Sequence, residues 1–133
     1  MVTKGADIIF HAAGGTGSGV IDGCKEEGIW AIGVDTDQNS LAPETVVTSA
    51  MKRVDNASYD IAKAVLEGTY TAGVHTYGLT DGGVDLAPTQ TLLPADVLAA
   101  VEQAKKDIID GKITVPANQA DFEAKYQNVY ELD

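Results

Sequence analysis

The chain has 133 residues, 20 acidic and 9 basic side chains, a formal net charge of -11 and one cysteine. That length suits one domain with a real core. The acidic balance repels a nucleic-acid backbone or an anionic lipid surface, so no nucleic-acid partner is expected. A single cysteine excludes an internal disulfide, and no run approaches the ~20 apolar residues of a membrane-spanning helix.

The opening "MVTKGADIIF" lacks a basic start, a long apolar core and a small-residue cleavage site. No signal peptide or lipidated cysteine is expected there. "ADIIFHA" predicts a buried strand from Asp7 to His11 that runs into the loop "AGGTGSG", Ala13 to Gly19. Val20, Ile21 and Cys24 then fall at helical spacing, which predicts a helix from Val20 to Glu26 with Gly28 as its C-cap. Further strands are expected at Ile29 to Val34 and Val46 to Ser49, and the polar "TDQNSLAPE" between them reads as an exposed loop. Strand, helix and strand with short connections imply a parallel βαβ unit.

A second helix is expected from Asn56 to Glu67, started by Asp55 or Asn56, with Tyr59, Ala62, Val65 and Leu66 on one face and Gly68 ending it. "VHTYGLTDGGVDLA" reads as an irregular strand or hairpin around Asp81-Gly82-Gly83. Pro94 to Asp110 is the clearest helix, with Val97, Leu98, Val101, Ala104 and Ile108 inward and Gly111 past its end. From Val115 the chain is polar with scattered aromatics. No repeat or linker divides it, so residues 1–133 read as a single α/β domain.

The glycine loop invites a phosphate, but neither common phosphate motif fits. Rossmann spacing from Gly15 and Gly17 puts Val20 where the third glycine belongs, and no Lys-Ser or Lys-Thr pair follows to complete a Walker loop. "AGGTGSG" is locally similar to the signature loop of the tubulin and bacterial division GTPases, whose other nucleotide-binding segments precede that loop in a longer chain. GTP binding through Gly14 to Gly19 therefore stays open as one alternative. A tight strand-to-helix turn in a structural half-domain without ligand is another.

Four segments in order, "ADIIFHAAGGTGSGV", "AIGVDTDQ", "TSAMKRVD" and "GVHTYGLTDGGVDLAP", resemble the basic membrane protein family. These are bacterial substrate-binding lipoproteins of ABC transporters, similar to purine nucleoside receptor proteins. The resemblance implies a parallel-sheet, three-layer α/β lobe of the flavodoxin-like, type I periplasmic-binding-protein kind, and half of a two-lobed fold. It implies no catalytic residues, no cofactor and no metal. The implied ligand is a purine nucleoside of the adenosine, guanosine or inosine class, held between this carboxyl-terminal half and a missing amino-terminal lobe. The implied partners are that lobe and an ABC permease, and the family's full-length members are membrane-anchored at the cell surface or in the periplasm.

By position in the family pattern, Asp35 takes the ribose hydroxyls, Lys52 donates to ribose or base, and Gly14 and Gly15 let the backbone approach the ligand. Phe10, like Trp30, reads as core, yet it lies close enough to the cleft to join the candidate ligand residues. Asp37 is expected to face solvent, His11 to be packed or hydrogen-bonded, and Cys24 to be a small helix residue. His75 has no partner at metal-ligand spacing. The segment around Lys52 would cross between lobes, so the helix from Asp55 would belong with the absent lobe. An uncovered sheet edge and helix face then favour a homodimer.

Overall fold

In the computed structural model, which describes residues 1–126, the chain divides into two compact units, Met1–Leu98 and Ala99–Asp133. The first unit carries the sheet. β1 (Ile8–Phe10), β2 (Trp30–Asp35), β3 (Val46–Lys52) and β4 (Val84–Leu86) lie side by side in that order. β1, β2 and β3 are parallel, and β4 joins β3 antiparallel. This is the expected parallel-dominated α/β sheet, and of the two readings of the "GGVDLA" segment, strand or hairpin, it is a strand, added antiparallel to β3 with Leu86 opposite Ala50.

α1 (Gly17–Glu27) connects β1 to β2 and ends at Gly28 in a left-handed conformation, φ 68°, as the sequence predicts. Alternation along β1 sends Ile9 toward α1, where Ile21, Cys24, Ala31, Ala42 and Val46 make the core. β3 is buried from Val46 to Ser49 because it lies between neighbours on both sides. Ile8 and Phe10 take the opposite face, in register with Trp30 and Ile32, and Ile8, Phe10 and Trp30 are exposed. Phe10 and Trp30 are therefore not core residues.

The connection from β2 to β3 is not the exposed loop that its polarity predicts. It holds a short 3-10 turn, Asn39–Leu41, and buries Ala42 and Thr45. Asn39 Nδ2 donates to the Val46 carbonyl at 2.9 Å, and Gln38 N–H donates to Ser49 Oγ at 3.0 Å. Polar residues were needed here for internal hydrogen bonds, a use that composition cannot distinguish from solvation.

α2 (Val54–Leu66) follows β3 after a break at Arg53 and is succeeded by Gly68 at φ 70°. It starts one residue before the expected caps. Asp55 sits in its first turn, where a carboxylate favours the positive end of the helix. No residue of α2 is buried.

α3 (Ala95–Ile109) begins directly after Pro94 and is followed by Gly111 at φ 73°. None of its residues is buried, and Val97, expected inward, is exposed. In the second unit Lys112 pairs with Asp107 at 2.9 Å and with Asp110 at 3.2 Å, closing the turn after α3. α4 (Gln119–Lys125) was not legible as a helix in the polar tail. Asn118 caps it by accepting from Asp121 N–H at 2.9 Å, a pairing of the cap with the third residue of the helix that the sequence does display.

Candidate functional site

Parallel strands deliver their carboxyl ends to one edge of the sheet, and a small-molecule cleft is expected there. β2 ends at Asp35 and β3 at Lys52. Asp35 is in register with Met51, so simple alternation would put Asp35 and Lys52 on opposite faces. Asp35 is the non-glycine residue with positive φ among the described residues, at 68°. Aspartate tolerates this left-handed conformation better than bulky residues do, and such conformations concentrate at functional sites. Beyond that twist the carboxylate meets Lys52: Nζ to Oδ1 is 2.9 Å. Oδ1 is shielded from water and receives no well-aligned hydrogen bond, so the contact is an ion pair.

The pair borders a hollow of about 640 Å³ lined by Asp35, Thr36, Met51, Lys52, Arg53, Val54, Asp55 and Pro88. Its size falls within the ~300–1,000 Å³ of small-molecule sites. Its charged lining is two carboxylates and two cations. The second pair is bidentate: Arg53 Nε donates to Asp55 Oδ1 at 3.0 Å and Nη2 to Oδ2 at 2.8 Å. The hydrogen bonds from Arg53 lower the Asp55 carboxyl to about 2, and the same bonds raise the Arg53 guanidinium.

The loop after β2 shapes one wall. Asp37, expected in solvent, instead accepts from Asn39 N–H at 3.1 Å, from Thr89 Oγ1 at 2.5 Å and from Thr89 N–H at 3.3 Å. Burial pushes its carboxyl up, but the Thr89 hydroxyl and the two backbone donors outweigh it, and the net direction is down. Asp37 thereby holds the segment after β4, and with it Pro88, against the hollow.

The glycine loop follows β1 on the same edge of the sheet. Gly14 to Thr16 form a 3-10 turn, with Gly14 at φ 53°, and open space lies where a Cβ at Gly14 or Gly15 would stand. Gly17 is the position with a strict steric demand, because a Cβ there would run into the His11 ring. That ring is buried, and Nε2 donates to Gln38 Oε1 at 3.0 Å, an oxygen that also accepts the Val34 N–H at 2.9 Å. Gly33 is needed likewise, since a Cβ would meet Ser49 Oγ and the Gln38 side chain. The sequence showed these glycines without showing that two of them seat a buried histidine and a half-buried glutamine.

Asp35 and Lys52 are thus brought together. Gly14 and Gly15 share their edge of the sheet but do not line the hollow. Phe10, 56% exposed, lines a separate apolar hollow with Ile9, His11, Ala12, Ala13 and Val20. Among the described residues the charged side chain on that second hollow is that of Glu27. Arg53, Asp55 and Pro88 are the residues that sequence reasoning missed. The alternating charges of "KRVD" were the available signal for the first two.

Elsewhere Cys24 is buried and burial raises its thiol pKa, which makes it inert. His75 Nε2 pairs with the Thr71 carbonyl at 2.8 Å and its ring stacks on Tyr70. Among the described residues no three His, Cys, Asp or Glu side chains form a metal-binding group, and no helix is long and apolar enough to cross a membrane.

Residues 1–119 match the family model described as Bmp, ABC transporter substrate-binding protein PnrA-like. The chain belongs to this family. Its relatives include the ABC transporter nucleoside-binding protein BmpA of Lactococcus lactis subsp. cremoris, 36% identical over 88% of this chain and 38% of that protein. A "CD4+ T-cell-stimulating antigen" of Listeria monocytogenes is 40% identical over 87% of this chain and 37% of that protein. The chain therefore spans well under half the length of the curated relatives it matches. Among solved structures, a transcriptional activator of the comK gene from Bacillus halodurans superposes with a TM-score of 0.79 at 27% identity, covering 86% of this chain and 41% of the other. An ABC transporter solute-binding protein from Aeropyrum pernix gives 0.76 at 25% identity, covering 93% and 44%. The α/β lobe is that of this family, and the matching family model is one of substrate-binding proteins rather than of enzymes.

Proposed function

We propose that the chain supplies one half of the cleft of a bacterial ABC transporter's solute-binding component, and that the solute is a purine nucleoside. The observation that carries this reading is the Asp35–Lys52 pair at the carboxyl ends of β2 and β3, opening on a hollow whose carboxylates and cations are matched. A carboxylate beside an ammonium offers two acceptors and a donor set to a pair of neighbouring hydroxyls, as on ribose. A matched set has no spare positive charge, so a neutral polyol suits it better than a phosphate does. The nucleoside-binding relative supports the ligand class, and the purine rests on the family resemblance. In this reading Gly14, Gly15 and Phe10 reach the ligand only when the other lobe closes over them. The remaining partners are an ABC permease and, for the isolated chain, a second copy, with the full-length protein held at the membrane surface by lipid.

Half a cleft excludes water poorly, and a hydrogen bond open to water contributes only about 0.5–1.5 kcal/mol net. Calorimetry of the isolated chain against adenosine, guanosine and inosine should therefore show weak binding or none. A chimera in which this chain replaces the matching segment of the Lactococcus lactis relative should bind a purine nucleoside saturably and without turnover. A chimera that ignores nucleosides overturns the reading, as does magnesium-dependent GTP binding by the chain alone. Light scattering tests the second copy: a clean monomer at high concentration removes it.

A further inference from the structure

The junction between β3 and α2 is tied on several sides. Arg53 N–H donates to the Gly83 carbonyl at 2.8 Å, and its guanidinium holds Asp55 at 2.8 and 3.0 Å. Arg53 Nη2 also donates to Asn56 Oδ1 at 3.1 Å, while Asn56 Nδ2 donates to the Gly82 carbonyl at 2.9 Å. Gly82 takes φ 62°, which aims its carbonyl into this arrangement at a turn closed by Gly83 N–H to the Gly78 carbonyl, 2.8 Å. Gly83 is itself buried against Tyr77, where no Cβ fits. All of this converges on the residue after Lys52, whose own side chain is exposed and makes a short ionic contact with Asp35.

A lysine stem has four rotatable bonds, so its ammonium is placed by a neighbour and by the backbone that carries it. We infer that Arg53, Asp55 and Asn56 are positioning residues that lock the strand-to-helix junction onto the 82–83 turn and so fix where Lys52 stands in the hollow. Asn56 separates this from direct contact, because it holds both Arg53 and Gly82 yet does not line the hollow. The ligand in this inference is that of the proposed function, whereas the lock is a matter of the chain's own hydrogen bonds.

The test has two readouts. In the isolated chain, Asn56→Ala should speed hydrogen exchange of the Arg53 amide roughly tenfold, the equivalent of one hydrogen bond, and leave the Val34 amide of β2 unchanged. In the chimera the same substitution should weaken nucleoside binding roughly tenfold, with Asn56→Asp, which keeps the acceptor for Arg53, recovering part of the loss. Unchanged exchange at Arg53 overturns the lock. Faster exchange with unaltered affinity overturns its role in placing Lys52, and equal acceleration at Val34 shows a general loss of structure instead. If the unsubstituted chimera binds no nucleoside, the proposed ligand falls, and the exchange of the Arg53 amide still decides whether the junction is locked.

Discussion

α1 and α2 both present an apolar stripe, and their fates differ. α1 lies on the sheet and buries Ile21 and Cys24 almost completely. α2 exposes Val54, Tyr59, Val65 and Leu66, the last at 88%. The difference teaches that an amphipathic pattern states a need for cover without saying where the cover comes from. For α1 it is the first two strands of this chain. For α2 no cover is found among the described residues, and the chain spans 38% of its nucleoside-binding relative.

The largest expected effect contrasts the two helices directly. Ile21→Ala should lower the stability of this chain by ~2–5 kcal/mol in denaturant titration, because a buried methyl-rich side chain leaves a cavity. Leu66→Ala should stay within ~0.5 kcal/mol, as exposed substitutions do. A similar loss at both would break the comparison and show that α2 is packed in solution. At the sheet edge the contrast is between neighbouring carboxylates. In the chimera Asp35→Ala should weaken nucleoside binding by ~1.5–3 kcal/mol, the range for hydrogen bonds to a charged group. Asp37→Ala should alter affinity much less and reduce stability instead, since its oxygens are engaged by Thr89 and Asn39.

Glycines sharpen the same contrast at somewhat smaller size. Gly33→Ala sets a methyl against Ser49 and Gln38 and should cost ~1–3 kcal/mol as overpacking. Gly15→Ala meets open space and should leave the unfolding midpoint within ~0.5 kcal/mol of wild type.

Two carboxylates predict different responses to acid. The folded-state pKa of Asp37 lies below its ordinary value, so the stability it contributes is present above about pH 4 and is lost as pH falls through the lower folded value. Asp37→Asn should accordingly be less stable than wild type at pH 6, with the gap closing as the pH is lowered toward 2. Asp55 gives the smallest effect. Carbon NMR should place its midpoint at about 2, and Arg53→Gln should return it toward the ordinary carboxylate range. Because Asp55 is exposed, loss of the ion pair alone should change stability little, and any larger fall in the unfolding midpoint reports the bond from Arg53 to Asn56.

The parallel strands and the first three helices were legible because each has a strong period and clear punctuation: Gly28, Gly68 and Gly111 all stand in left-handed conformations just past a helix. α4 was missed because it is short and its signal is a cap, Asn118 with Asp121, more than a stripe. Asp35 and Lys52 were legible as candidate site residues only through a family pattern. Their contact depends on a left-handed residue at the end of β2, and nothing in "GVDTDQ" announces a positive φ at Asp35. Asp37 was misread for the same reason, since its partner Thr89 is distant in sequence and reaches it only through β4.

By itself the amino-acid sequence determined the α/β class, the order of the parallel strands and of the first three helices, the acidic surface and the placing of glycines where the backbone turns. These follow from local propensity and periodicity, which act over a few residues. Only the tertiary structure decided which face of β1 is covered, that β4 completes the sheet antiparallel to β3, and that Asp37 and Gln38 turn inward while Leu66 turns out. It also decided that Arg53, Asn56 and Gly82 meet beside Lys52. Each of these depends on what a distant segment brings within hydrogen-bond or van der Waals reach, and short-range pattern carries no record of that.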